Sequence, residues 1–200
     1  MAEREDWSSE RKERSGMPYH GNMTVFNWNL YHKNLTPEKE VVKTFIREYK
    51  RFSADGSGLY ISSETMGSGK TFLACCVANE LIERYNAVVK FINIVDYIML
   101  RGEETEPYLN CGLLILDDIG AQSSKQEWVS EIVFRLVDYR HRNNKSTIYT
   151  SNLIMNMDDR ANARIYEHSF EVKLPEVSIR KQKADERKRK MLQTLNGGAT

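Results

Sequence analysis

The sequence predicts an α/β protein with a parallel sheet covered by helices on both faces. Three observations carry this. Apolar runs alternate along the chain with stretches of helical periodicity. The run Leu113-Leu114-Ile115-Leu116 has no polar alternation, as suits a strand buried on both faces. A glycine-containing loop joins one apolar run, Leu59-Tyr60-Ile61, to an apolar-periodic stretch through Leu73, Val77 and Leu81. With 200 residues, 40% of them hydrophobic, the chain can build one domain with a substantial core.

Residues 1–16 are polar and highly charged without apolar periodicity, and are expected to form a flexible arm. The core is expected over 17–176. Thr36-Pro37-Glu38 reads as a helix start, followed by Val42, Phe45, Ile46 and Tyr49 at helical spacing. Strands are expected near 59–62, 88–93, 113–117, 147–150 and 169–174. The helices that a parallel sheet needs as crossovers fall near 70–85, 95–101, 125–142 and 158–166. Residues 177–200 read as a basic helix or tail carrying the runs Arg180–Lys183 and Arg187–Lys190.

Composition narrows the function classes. The 29 Lys and Arg nearly balance the 28 Asp and Glu, so overall charge does not mark a nucleic-acid binder, although local patches can. No apolar run approaches the roughly 20 residues that span a bilayer, and the charged start lacks a secretory apolar stretch. Three cysteines, Cys75, Cys76 and Cys111, have no ligand spacing; Cys75 and Cys76 read as packing residues. A cytoplasmic protein is expected. His20, His32, His141 and His168 are scattered and receive no role.

Chemistry concentrates at three strand ends. After Ile61 comes Ser62-Ser63-Glu64-Thr65-Met66-Gly67-Ser68-Gly69-Lys70-Thr71. A strand, a glycine loop and a helix opening on Lys-Thr form a phosphate cradle, because backbone N–H groups and the helix N-terminus converge on an anion. Candidate nucleotide-binding residues are therefore Thr65, Met66, Gly67, Ser68, Gly69, Lys70, Thr71 and Phe72. Lys70 would reach the β and γ phosphates, and Thr71 would place its hydroxyl on Mg²⁺. The strict pattern wants glycine where Glu64 stands, and a carboxylate there is tolerable only if it points outward.

The second strand end is Asp117-Asp118, after Leu116. Asp117 would hold Mg²⁺ through water, and Asp118 would orient or deprotonate the attacking water. The third is Ser151-Asn152 after Thr147-Ile148-Tyr149-Thr150. The Asn152 amide could donate to the γ-phosphate or position the water if this strand lies between the other two.

The order Met-Gly-Ser-Gly-Lys-Thr, Leu-Leu-Ile-Leu-Asp-Asp-Ile-Gly, Thr-Ser-Asn resembles the DnaC and IstB branch of the AAA+ ATPases, over about Met17 to Arg180. The resemblance implies a three-layer α/β/α P-loop fold with strand order 5-1-4-3-2 and a reduced C-terminal helical lid. It implies ATP and Mg²⁺ as ligands, homo-oligomers when ATP is bound, and a replicative helicase or a transposase as partner. It also implies an arginine acting on the neighbouring subunit's nucleotide, matched by Arg164, and one sensing nucleotide within its own subunit, matched by Arg180. Phe26 and Trp28 fall where the family closes over adenine. The implied function is an ATP-driven helicase loader, with a transposition helper or a non-hydrolysing nucleotide switch, motivated by Glu64, as alternatives.

Two features depart from the family. Only a charged stretch of about sixteen residues precedes the matching region, where the loaders carry a helicase-binding domain. The acidic stretch 101–110 looks shorter than their single-strand-binding insertion. Single-stranded DNA contact, if made, is expected among Arg140, Arg142 and Lys145, or along the C-terminal basic runs.

Overall fold

The computed structural model describes residues 2–18, 36–120, 127–152 and 158–197. Its helices are α1 (Ala2–Arg14), α2 (Thr36–Arg47), α3 (Tyr49–Ala54), α4 (Lys70–Tyr85), α5 (Ile94–Tyr97), α6 (Glu106–Asn110), α7 (Glu127–Arg142), α8 (Asp159–Glu167) and α9 (Ile179–Gly197). Its strands are β1 (Gly58–Ser62), β2 (Val89–Asn93), β3 (Leu113–Ile119), β4 (Ser146–Ser151) and β5 (Ser169–Lys173). They form one sheet in the order β2-β3-β4-β1-β5, parallel throughout. This is the expected order read from the other edge.

Two apolar cores sandwich the sheet, and the two-residue period of a strand distributes its side chains between them. Leu113 and Ile115 of β3 join Leu59, Ile61 and Ile148 against α2 and α4. Leu114 and Leu116 join Tyr60 and Tyr149 against residues of α5, α7 and α8. Helix α4 is buried along most of its length, from Leu73 to Ile82, because it lies between the sheet and outer helices. Cys75 and Cys76 are fully buried on it, and burial pushes the Cys76 thiol up to about 12, as befits packing residues.

Three expectations change. Residues 2–14 are helical, and the end of this helix, from Arg11 on, is tied to the domain rather than being a free arm. The Lys12 ammonium pairs with Glu83 at 2.5 Å, Arg11 donates to the Asn86 carbonyl at 2.7 Å, and Lys90 Nζ donates to the Arg14 carbonyl at 2.8 Å. The Phe91 amide donates to the Ser15 carbonyl and Met17 is buried in the core, so polar donors and one anchor do what apolar periodicity normally does. The helix expected over 95–101 stops at Tyr97; a 3-10 turn over Gly102–Thr105 and then α6, opening on Glu106-Pro107, fill the acidic segment. Arg140 is not a surface cation. It is 1% exposed and donates to the carbonyls of Tyr108, Leu109, Cys111 and Ser146 and to the Thr147 hydroxyl, pinning α6 and β4 onto α7.

Among the described residues, no helix is long and apolar enough to cross a membrane. Phe26 and Trp28 lie outside the described residues.

Candidate functional site

Strands β1, β3 and β4 are neighbours, and all three deliver their C-terminal ends to one cleft of about 540 Å³. Such a crevice beyond the strand ends is where open parallel sheets bind ligands. Met66, Gly67, Gly69, Lys70, Thr71, Phe72, Asp117, Asp118, Asn152 and Arg180 line it, together with Pro18, Thr150, Ile179 and Lys183.

The loop between β1 and α4 has the geometry an anion cradle needs. Gly69 caps α4 at φ +98°, and Gly67 sits at φ +76°, left-handed conformations that a side chain resists. A Cβ on Gly67 would also stand 2.8 Å from Arg180 Cβ and 3.0 Å from Ser178 Oγ. Lys70, 6% exposed, donates Nζ to the Thr65 carbonyl at 3.1 Å, the Ser68 hydroxyl at 3.1 Å and the Ser63 carbonyl at 3.4 Å. Burial pushes its pKa down while the charges of Asp118 and Asp117 push it back. Thr65 and Ser68 thus support Lys70 and do not line the cleft themselves. Glu64 is exposed and is not part of the lining, which meets the condition its carboxylate imposes.

A bulge in β3 places both acids. Leu116 pairs with Tyr149, but Ile119 pairs with Ser151, so β3 holds one more residue than β4 over this stretch. Asp118 takes φ +60° within the bulge. In a regular strand consecutive side chains face opposite ways; here both Asp117 and Asp118 line the cleft. Asp117 Oδ1 accepts from the hydroxyls of Thr71 at 2.8 Å and Thr150 at 2.7 Å. The Asp118 amide donates to Thr150 Oγ1 at 2.8 Å, and Asn152 Nδ2 donates to Asp118 Oδ1 at 2.5 Å. Burial raises the Asp117 pKa above the ordinary carboxylate value; the Thr150 and Thr71 hydroxyls and Lys70 oppose this, while Asp118 adds to it.

Arg180 lines the cleft from the start of α9, held where its amide donates to the Gly67 carbonyl at 3.3 Å. Arg164 is not brought to this cleft. It projects from α8 at 41% exposure, 3.5 Å from both Asp138 and Glu167. Pro18, Thr150, Ile179 and Lys183 line the cleft and were not expected there from the sequence. Thr150 would have stood out only if β4 were already known to lie beside β3, and Lys183 only if α9 were known to return to the phosphate loop.

The chemistry of this donor set suits a nucleotide with a divalent cation. Glycine and amide groups surround the phosphate position, a buried ammonium stands behind it, and a hydroxyl and carboxylate pair offers hard oxygen ligands.

The parallel sheet, the glycine loop and the carboxylate pair define a P-loop ATP-binding protein of AAA+ type. Residues 60–186 match the model for the IstB-like ATP binding protein, and the chain belongs to that family. Over 120 residues it is 32% identical to the replicative helicase loader DnaI of Bacillus subtilis (strain 168), a stretch covering 56% of this chain and 38% of that one. The chain thus spans well under half the length of that relative. In fold it is similar to the DnaC helicase loader, with TM-score 0.61 and 21% identity over 82% of this chain and 99% of that one. It is likewise similar to AMPPCP-bound DnaA from Aquifex aeolicus, with TM-score 0.61 and 21% identity over 78% of this chain and 50% of that one.

Proposed function

We propose that this protein is a cytoplasmic ATPase that loads or remodels a replicative helicase, assembling into homo-oligomers with ATP at their interfaces. The observation that carries it is the chain Asn152–Asp118 beside Thr150, Asp117 and Thr71, on the same cleft as Lys70. Such an arrangement serves hydrolysis: Lys70 neutralises phosphate charge, Thr71 and Asp117 hold Mg²⁺, and the Asp118 carboxylate takes or orients the proton of an attacking water. Bound Mg²⁺ would supply charge stabilisation for the phosphoryl oxygens. Asn152 keeps Asp118 in place by donating to it, leaving the second carboxylate oxygen for the water.

Arg164 points away from its own cleft and carries only weak ion pairs at 3.5 Å, so it is free to serve a neighbour. A planar, permanently charged guanidinium there would stabilise charge on the transferring phosphoryl group. Arg180 would sense the same subunit's nucleotide through its seat on Gly67. Single-stranded DNA would meet the exposed basic run Arg187–Lys190 on α9. The loader reading draws on the likeness to DnaI; the IstB-like family model favours a transposition helper as the second reading.

The test is ATP hydrolysis against protein concentration, with and without single-stranded DNA and the host's replicative helicase. Lys70→Ala and Arg164→Ala are each expected to abolish turnover, whereas mixing the two variants restores part of it through interfaces that combine an intact cleft with an intact arginine. ATP binding without turnover under any condition would replace the motor by a nucleotide switch. Stimulation by a transposase but not by the helicase would favour the helper.

A further inference from the structure

Three side chains left unassigned by the nucleotide chemistry meet at the opposite end of the sheet. His141 closes α7, Glu167 ends α8, and His168 follows it as the residue capping α8 before β5. The His168 carbonyl accepts the amide of Gly58, the first residue of β1, at 2.8 Å, so the cluster sits at the strand N-termini, away from the phosphate loop. The two imidazole rings lie 4.2 Å apart at 40°, and His141 Nε2 is 3.1 Å from Glu167 Oε2. One ligand atom from each of the three residues falls within 4.8 Å of the others.

We propose that His141, Glu167 and His168 form a binding site for a divalent transition ion of the Zn²⁺ type. Three protein ligands and a water make a four-coordinate site, and nitrogen with carboxylate oxygen is a donor set that Zn²⁺ takes. Ligand atoms on a tetrahedral zinc stand about 3.3 Å apart, as follows from bonds of about 2.0–2.1 Å. The His141–Glu167 pair already has that separation, and the remaining closure is within reach of side-chain torsions. Each backbone position is fixed by a helix end or a strand start, which suits a metal site better than loops do.

The state of the imidazoles points the same way. Two adjacent imidazolium ions would repel, and burial together with His141 pushes the His168 pKa down, toward the neutral form that binds metals. The charges facing the cluster are mixed. Arg164 and Asp55 both act on His168, and Arg164 Nη1 lies 3.5 Å from Glu167. Bound zinc therefore competes with Arg164 for Glu167 and clamps the end of α7 to the α8–β5 junction.

The test is a Zn²⁺ titration of the full chain by calorimetry against a competing chelator, with excess Mg²⁺ and ADP to occupy the nucleotide cleft, and a parallel Co²⁺ titration read by visible absorption. Expected are one saturable Zn²⁺ site per chain, Co²⁺ bands of a four-coordinate ion, and a thermal midpoint that rises with Zn²⁺. Glu167→Gln and His168→Ala are each expected to weaken binding at least about tenfold. Glu167 is 55% exposed, so its variant keeps the fold even if the histidine variant does not. Absence of saturable Zn²⁺ binding overturns the proposal, and so does binding that both variants leave intact.

Discussion

The hydroxyl of Thr150 donates to Oδ1 of Asp117 across 2.7 Å, from the strand beside it. The Thr150 hydroxyl oxygen in turn accepts the amide of Asp118 at 2.8 Å, so one side chain of β4 fixes both acids of the β3 bulge. Thr150→Val keeps the shape and removes both bonds, leaving a buried amide and carboxylate short of a partner. It is expected to lower stability by about 1–3 kcal/mol and to raise the Mg²⁺ concentration needed for half-maximal nucleotide turnover. Denaturant unfolding and a Mg²⁺ titration of activity would both have to be unchanged for this account to fail.

Asp117 links stability to pH with a definite sign. Its pKa in the folded chain is raised above the ordinary 3.8. An acid raised on folding favours the folded state below its unfolded pKa, and that contribution is lost as pH rises through the folded value. At neutral pH the buried carboxylate is therefore a liability, which the proposed binding of a cation would offset. In the absence of Mg²⁺ and nucleotide, Asp117→Asn is expected to unfold at a higher temperature than the wild type at pH 7. The gain should fade as pH falls toward 3.8. Mg²⁺-dependent turnover should be lost at every pH, and a variant less stable at pH 7 contradicts the reading.

Gly67 couples the phosphate loop to α9. Its φ of +76° and the 2.8 Å approach of Arg180 Cβ leave no room for a methyl group. Gly67→Ala is expected to cost about 1–2 kcal/mol. Because Arg180 must shift, fluorescent-nucleotide affinity should fall roughly 5- to 30-fold by the same free energy. Ser178→Ala removes that neighbour together with the hydroxyl that accepts the Lys181 amide at 3.3 Å in the first turn of α9, and is expected to lower affinity less than Gly67→Ala does.

Arg140 and Arg142 are two residues apart and have opposite fates. Arg140→Met strips partners from four backbone carbonyls in the interior and is expected to destabilise by about 3 kcal/mol or more, with no change in DNA affinity per folded molecule. Arg142, with its side chain 67% exposed and paired to Asp138, should give Arg142→Ala a stability within about 0.5 kcal/mol of the wild type. Denaturation midpoints of the two variants separate a buried strut from a surface cation.

Much of the fold is legible from local pattern. The unbroken apolar run of β3, the glycine loop before Lys70, and the periodicity of α4 and α7 are signals written within about 20 residues each, where strand and helix periods act directly. The cleft residues Gly67, Lys70, Thr71 and Asp117 are legible for the same reason: glycine loops and strand-end carboxylates are local patterns. Helix α1 was not, because it is held by the Asn86 carbonyl, the Lys90 ammonium and the Glu83 carboxylate, all supplied from elsewhere in the chain.

The amino-acid sequence by itself determined the strand and helix order, the phosphate loop and the acids at the end of β3, since each depends on neighbours along the chain. Only the tertiary structure decided which side chains would meet across it. It set Thr150 between Asp117 and Asp118, buried Arg140 among carbonyls of α6 and β4, left Arg164 beside Asp138 and outside the cleft lining, and brought His141 beside His168. The physical reason is that strand adjacency and bulge position arise from pairing between distant segments, and burial of a polar group is settled by the partners that pairing supplies.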